Sequence, residues 1–191
     1  MRTAVITRTT KETDIELSVN LDGSGVFELE TGIGFFNHML TALAVHGGFD
    51  IKGRVKGDLE VDCHHTIEDV GIVLGQAFSQ ALGDKSGIVR YGNAVIPMDE
   101  ALASCCVDVS GRPYLVFDAA FAFDCIGTFD TQMAEEFFRA FVFNAGVTLH
   151  ARVLYGANDH HKCEALFKAL AHALKSAVAV QQGTLSTKGV L

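Results

Sequence analysis

The chain has 191 residues, of which 49 % are hydrophobic and 20 % charged, a composition typical of a globular protein with a sizeable core. Its net charge of −8, without any Lys- or Arg-rich run, argues against a nucleic-acid partner and against an anionic membrane surface. No apolar run approaches the roughly 18 residues of a membrane helix, and the first residues lack the apolar core of a signal peptide.

The residue pattern in the first half of the chain predicts two strands, a helix, a further strand and a second helix. Residues 19–30, VNLDGSGVFELE, have the pattern of a β-hairpin, two strands joined by a glycine-containing turn. The stretch GIGFFNHMLTALAVHGG has the character of a helix, and FDIKGRV that of a short strand. A second helix is predicted over residues 65–82, because apolar residues recur there at helical spacing.

The second half repeats this order. Residues 107–118, VDVSGRPYLVFD, align with residues 19–30 without a gap; a helix with a Phe pair, a strand and a helix over 160–179 follow. Two histidine pairs, beginning at His64 and His160, lie 96 residues apart (160 − 64), about half of the chain. The sequence therefore predicts an α+β protein in which a β-β-α-β-α unit is duplicated and helices pack on two sheets.

Composition also bears on how the repeats are joined and where the protein resides. We place the junction near residues 83–92, with a first repeat at 1–87 and a second at 88–191. Since the chain has two prolines and no Ser- or Pro-rich linker, we expect one compact unit. Its five cysteines are odd in number and lack a C-x-x-C motif, which favours reduced thiols and a cytoplasmic location.

Each histidine pair opens a predicted helix and is followed by a glutamate at the same distance, in HHTIE and HHKCE. Residues four apart share a helix face, so His64 with Glu68, and His160 with Glu164, can each hold a metal ion at two points. The second histidine of each pair, His65 or His161, points about 100° further round the helix and must face another group.

Two further histidines can complete these sites. His38 in FFNHML and His150 in VTLHARV stand among apolar residues, where we expect a lone charge to be costly. With them the chain offers six histidines and two glutamates, enough for two sites of three histidines and one carboxylate, which suit manganese, iron or zinc. His172 has the pattern of a packed or surface helix residue, and His46 of either helix-end packing or a substrate contact.

The chain closely resembles the imidazoleglycerol-phosphate dehydratase family. The resemblance covers essentially the whole chain and rests on GIGFFNHML, DCHHTIEDVGIVLGQA, IPMDEALASCCVDVSGRPYLVFD, TLHARVLYGANDHHKCEALFKALAHAL and the tail STKGVL. It implies a duplicated fold of the ribosomal protein S5 domain 2 type. It further implies a 24-subunit homo-oligomer built from trimers, in which each active site lies between subunits and holds two Mn²⁺ ions.

The resemblance also implies the reaction and the residues that serve it. Water is removed from imidazole glycerol phosphate to give imidazole acetol phosphate in histidine biosynthesis, through a di-manganese-bound imidazolate that makes the ring an electron sink. Glu12 would shuttle protons as general acid and base. One ion would be bound by His64, Glu68, His150 and His161, the other by His38, His65, His160 and Glu164, and the substrate phosphate by Arg90, Arg112, Ser186 and Lys188.

Three positions refine this expectation. Many family members carry aspartate where this chain has Asn37, and a glutamine near the phosphate where it has Ala42, so phosphate affinity is expected to differ. Asp69 follows Glu68, whereas an alanine follows Glu164, so Asp69 would support one metal site only. The absence of a phosphatase-like extension indicates the single-activity form.

Two other classes of protein would use similar residues. A di-metal hydrolase of another phosphorylated small molecule would explain the histidines and glutamates, but not the arginines and the tail together with Glu12. A metal-storage protein would bind the substrate no better than inorganic phosphate. The dehydratase therefore accounts for more of the sequence than either alternative.

Overall fold

The computed structural model describes residues 1–183, and two successive segments of it contain the same order of elements, except that the second has an additional pair of two-residue strands. The first comprises β1 (Thr3–Thr9), β2 (Thr13–Asn20), β3 (Phe27–Glu28), α1 (Gly34–Gly47), β4 (Asp50–Gly57) and α2 (His64–Leu82). The second comprises β5 (Tyr91–Met98), β6 (Ala101–Asp108), β7 (Tyr114–Asp118), β8 (Cys125–Ile126), β9 (Phe129–Asp130), α3 (Gln132–Ala145), β10 (Thr148–Tyr155) and α4 (Asp159–Ala177).

The two main sheets have equivalent topologies. Their strand orders are β1-β2-β4-β3 and β5-β6-β10-β7, and β8 and β9 form a separate small pair. The register agrees as well, since Thr3 pairs with Asn20 in the first sheet and Tyr91 with Asp108 in the second. The predicted duplicated α+β fold is confirmed. Each repeat also contains a leading strand, β1 or β5, that precedes the predicted β-β-α-β-α order.

The hairpins predicted over residues 19–30 and 107–118 are wrong. In the first sheet β2 and β3 do not pair with each other but lie on opposite sides of β4, antiparallel and parallel to it. The Asp50 carboxylate accepts hydrogen bonds from the N–H groups of Ser24 and Val26, which carries the chain past the start of β4. The hairpins within the two main sheets are instead β1–β2 and β5–β6.

The helices cover the inner faces of both sheets. Helix α2 packs on β1 and β2 of the first sheet and on α3, while α4 packs on β5 and β6 of the second sheet and on α1. Alternation along β2 turns Ile15, Leu17 and Val19 inward, and these side chains belong to one hydrophobic core that spans both repeats. No helix among residues 1–183 is long and apolar enough to cross a bilayer.

Glycines allow α2 and α3 to approach closely. A Cβ atom built on Gly75 would lie 2.6 Å from the carbonyl oxygen of Phe141 and 2.8 Å from Cβ of Asn144, both on α3. A Cβ atom on Gly71 would lie 2.8 Å from Cβ of Ala140. Because the obstacle at Gly75 includes helix backbone, α2 could accept a larger residue there only by moving away from α3.

We therefore expect Gly75→Ala to destabilise the fold by about 1–3 kcal/mol through overpacking. Gly34→Ala is the matched control, because a Cβ at this first residue of α1 meets nothing within 4 Å and alanine favours a helix. Thermal unfolding of the metal-free proteins at one concentration measures the difference. Equal midpoints for Gly75→Ala and the wild type would contradict the close-packing argument.

Candidate metal centre and active site

The packing of α1 against α4 brings three predicted metal ligands together. His38 Nε2 lies 3.3 Å from Oε2 of Glu164, and His160 Nε2 lies 3.1 Å from the same oxygen. Ligand atoms of the three residues all lie within 4.8 Å of one another. The ring of Phe35 contacts His160 edge-on at 4.9 Å, which limits the orientations open to that imidazole. We call these three residues the α1–α4 cluster.

The α1–α4 cluster fits a divalent metal ion. Metal–nitrogen and metal–oxygen bonds of about 2.0–2.2 Å place the donor atoms around one ion roughly 3–4 Å apart. Both histidine nitrogens lie at such distances from Oε2 of Glu164, 3.3 and 3.1 Å. Two imidazole nitrogens and a carboxylate also match the chemistry of a first-row transition metal. Burial opposes ionisation of Glu164, but the Lys168 ammonium at 2.7 Å and His38 outweigh it, so the pKa of Glu164 is lowered.

The other glutamate follows the same helical spacing in a more open setting. His64 Nε2 lies 3.6 Å from Oε2 of Glu68, one turn further along α2. Both side chains are well exposed, and His64 lies in the wall of a cavity of about 560 Å³. The cavity also contacts Ile33 at the start of α1 and Met133 in α3. Each His–Glu pair therefore lies on one face of its helix, as the four-residue spacing requires.

The second histidine of each pair is held by a carboxylate that the sequence analysis did not single out. His65 Nδ1 lies 3.0 Å from Oδ2 of Asp58, and His161 Nδ1 lies 2.7 Å from Oε2 of Glu100. Hydrogen bonding to these carboxylates raises the pKa of both histidines. The Asn158 N–H bond and the contact with His161 lower the pKa of Glu100 to about 2.

Glu12 lies in the β1–β2 turn, with Oε1 3.8 Å from Nε2 of His65. The Thr10 hydroxyl accepts hydrogen bonds from the N–H groups of Glu12 and Thr13. Buried Asp69 accepts a hydrogen bond from the Thr13 hydroxyl and another from Nε of Arg8. Asp69 thus holds the turn that carries Glu12. Its hydrogen bonds among the described residues go to Thr13 and Arg8, and not to a histidine predicted to bind metal.

His150 lies apart from the other histidines in this chain. It is exposed on the outer face of the second sheet, opposite Cys106 on β6 and Val116 on β7. Its neighbours Leu149 and Ala151 are buried, so strand alternation directs His150 outward. The prediction that His38 and His150 have apolar, costly surroundings is wrong, because both side chains are exposed.

The two arginines predicted to bind phosphate meet at one carboxylate. Arg90 Nε lies 2.7 Å from Oδ1 of Asp108, and Arg112 Nη2 lies 3.3 Å from Oδ2. Asp108, which contacts both arginines, ends β6, whereas Glu100, which contacts His161, immediately precedes its start. At about 3.3 Å per residue, the backbones of these two carboxylate residues are roughly 26 Å apart. Ser186 and Lys188 lie outside the described residues.

The remaining two histidines form a packing pair. The rings of His46 on α1 and His172 on α4 are 5.4 Å apart, in the same helix interface as the α1–α4 cluster. Burial, followed by the nearby Lys168 charge, lowers the pKa of His46. Of the two alternatives for His46, the described contacts favour helix packing.

Known proteins similar to this chain share one family description. The family model described as imidazoleglycerol-phosphate dehydratase matches residues 31–174. Relatives of that name from Lacticaseibacillus casei and Clostridium botulinum are 59 % and 58 % identical, over 100 % and 98 % of this chain and 100 % and 97 % of theirs.

Solved structures extend the likeness to three dimensions. The imidazoleglycerol-phosphate dehydratase of Staphylococcus aureus is 42 % identical, with a TM-score of 0.84 over 94 % of this chain and 99 % of its own. That of Pyrococcus furiosus is 38 % identical, with a TM-score of 0.85 over 97 % of this chain and 100 % of its own. Family match, relatives and structures therefore agree: this chain belongs to the imidazoleglycerol-phosphate dehydratase family.

Proposed function

We propose that the chain is a hydro-lyase that removes water from imidazole glycerol phosphate, giving imidazole acetol phosphate in histidine biosynthesis, with two Mn²⁺ ions in each active site. Membership of the family supports the reaction. The observation that carries the metal proposal is the convergence of His38, His160 and Glu164 from two helices. The five free cysteines support a cytoplasmic location.

The proposed ligand sets divide unevenly over the described chain. His38, His160 and Glu164, which would bind one ion with His65, are already together, whereas His65 lies with Asp58 and Glu12. For the other ion, His64 and Glu68 are adjacent, while His150 and His161 lie in the second repeat. We therefore propose that neighbouring subunits supply the missing ligands, in a 24-subunit assembly built from trimers.

The chain's own groups would handle the proton and the phosphate. Bound metal ions would supply electron withdrawal from the imidazole ring and a template for it. Glu12, with 53 % of its side chain exposed, would take the proton from the carbon next to the ring. As general acid and base, Glu12 would give a proton to the leaving hydroxyl group and regain one from that carbon, so that one water molecule is lost in all. Arg90 and Arg112 would bind the phosphate, since planar guanidinium groups match its oxygens.

The first test is product formation from imidazole glycerol phosphate. We expect chelator-treated protein to be inactive and to recover when Mn²⁺ is added, because the bound ions would supply the electron withdrawal from the ring. Addition of Mg²⁺, which prefers oxygen ligands, is the control and should restore little activity. A fully assembled, Mn²⁺-loaded protein without activity would contradict the proposal and favour a di-metal hydrolase.

Glu12→Gln separates proton transfer from metal binding. The substitution keeps the size of the side chain and removes its ability to carry a proton, so we expect kcat to fall by about 10²–10⁴-fold. Mn²⁺ stoichiometry should be unchanged, as measured by elemental analysis. Glu16→Gln, an exposed change on β2, is the matched control. Near-normal kcat in Glu12→Gln would remove this residue from the mechanism.

The assembly should depend on the metal. If the ligands for one ion come from different subunits, each ion links those subunits. Removing the ions takes this link away, so we expect the metal-free protein to dissociate to trimers. Light scattering on metal-free and Mn²⁺-loaded samples at equal concentration measures the mass. A metal-free protein that keeps the full assembly mass would contradict this role for the ions.

A further inference from the structure

The two hairpin turns occupy equivalent places in the duplicated fold. Strand β2 begins at Thr13 and β6 at Ala101, an offset of 88 residues (101 − 13). The same offset relates Glu12 in the first turn to Glu100 in the second (12 + 88). Both turns approach the second histidine of the pair at the start of a helix, yet the two glutamates make different contacts.

Glu100 is bound through both carboxylate oxygens. Oε2 lies 2.7 Å from Nδ1 of His161, and Oε1 accepts hydrogen bonds from the N–H groups of Ala157 at 3.1 Å and Asn158 at 2.7 Å. Asn158 in turn caps α4, where its side chain accepts a hydrogen bond from the His161 N–H. The carboxylate and the imidazole are therefore fixed to the same helix start.

Glu12 has no such anchorage. In its repeat Asp58 lies 3.0 Å from Nδ1 of His65, while Glu12 faces the other ring nitrogen at 3.8 Å and is half exposed. Glu100 thus fixes the imidazole in the second repeat, whereas the equivalent Glu12 is not fixed by such hydrogen bonds in the first. Asp58 takes over the contact with Nδ1.

We propose that Glu100 is a positioning residue, which holds His161 with its proton on Nδ1 and the Nε2 lone pair directed to a metal ion, and that Asp58 does the same for His65. This inference rests on the proposed function, in which both histidines bind metal. A carboxylate on the far nitrogen fixes the tautomer and orientation of a ligating histidine and increases its basicity. The duplicated glutamate has thereby diverged: Glu100 orients a ligand and Glu12 remains available to transfer protons.

Glu100→Gln tests the proposal without using activity as the readout. The glutamine oxygen can still accept from Ala157 and Asn158, but its NH₂ group would then face His161 Nδ1 and favour the proton on Nε2. We expect Mn²⁺ affinity, measured by calorimetric titration of metal-free protein, to fall about 10–100-fold. Glu16→Gln is the control for the loss of one negative charge and should bind Mn²⁺ like the wild type.

A double-mutant cycle distinguishes positioning from a general structural effect. If Glu100 acts through His161, Glu100→Gln should weaken Mn²⁺ binding strongly in the wild type and little in His161→Ala. Equal losses in both backgrounds, or none in either, would overturn the proposal. If Glu100→Gln fails to fold, Asp58→Asn with His65→Ala provides the same cycle in the first repeat. Wild-type protein that binds no Mn²⁺ would instead overturn the metal proposal, and this inference with it.

Discussion

The structure depends on the compensation of one buried charge, the carboxylate of Glu164. Only 8 % of this side chain is exposed, and an unpaired carboxylate in such a place would be strongly unfavourable. His38 reaches it from α1, His160 from the preceding turn of α4, and Lys168 from the following turn. Because two of these partners and the carboxylate belong to α4, the contact with His38 is the one that links this charge to α1. The packing of α1 on α4 and the geometry of the α1–α4 cluster therefore depend on the same contacts.

Duplication explains why the site has two similar halves that are not identical. Each repeat places a His–Glu pair on one helix face. In each, a carboxylate also contacts the second histidine of the HH motif, His65 or His161. In the first repeat the pair is open to solvent, whereas Glu164 in the second is enclosed by the α1–α4 interface. The residue equivalent to Asp69 in the second repeat is the alanine of HHKCEA. Asp69 anchors the β1–β2 turn around Glu12, which is longer than the β5–β6 turn. A repeated framework thus places similar His–Glu pairs in both halves, while the surroundings of Glu12 and Glu100 differ.

Local periodicity was sufficient to predict much of the fold and part of the site. The helices expected over 65–82 and 160–179 correspond to α2 and α4, and four-residue spacing correctly paired each His with its Glu. The sequence did not reveal that β2 and β3 both pair with β4. This strand comes later in the chain and inserts between them. Apolar neighbours along a strand likewise misled us about His150, because alternation buries the neighbours and exposes the histidine. Glu100 could have been found by applying the 88-residue offset to Glu12.

The rigidity of the second sheet bears on how the active site can be completed. Bringing His150 to the inner face would require a one-residue shift of β10, which would expose Leu149 and Ala151 and lose their burial in the core. Nor can β6 shorten to bring Arg90 and Arg112 closer to His161, since its ladder with β5 runs without interruption from Ala101 to Asp108. Local motion therefore cannot collect the proposed ligands and phosphate-binding groups around one substrate. The proposed ligand sets therefore require neighbouring chains, whose association brings groups together without a change of register in either sheet.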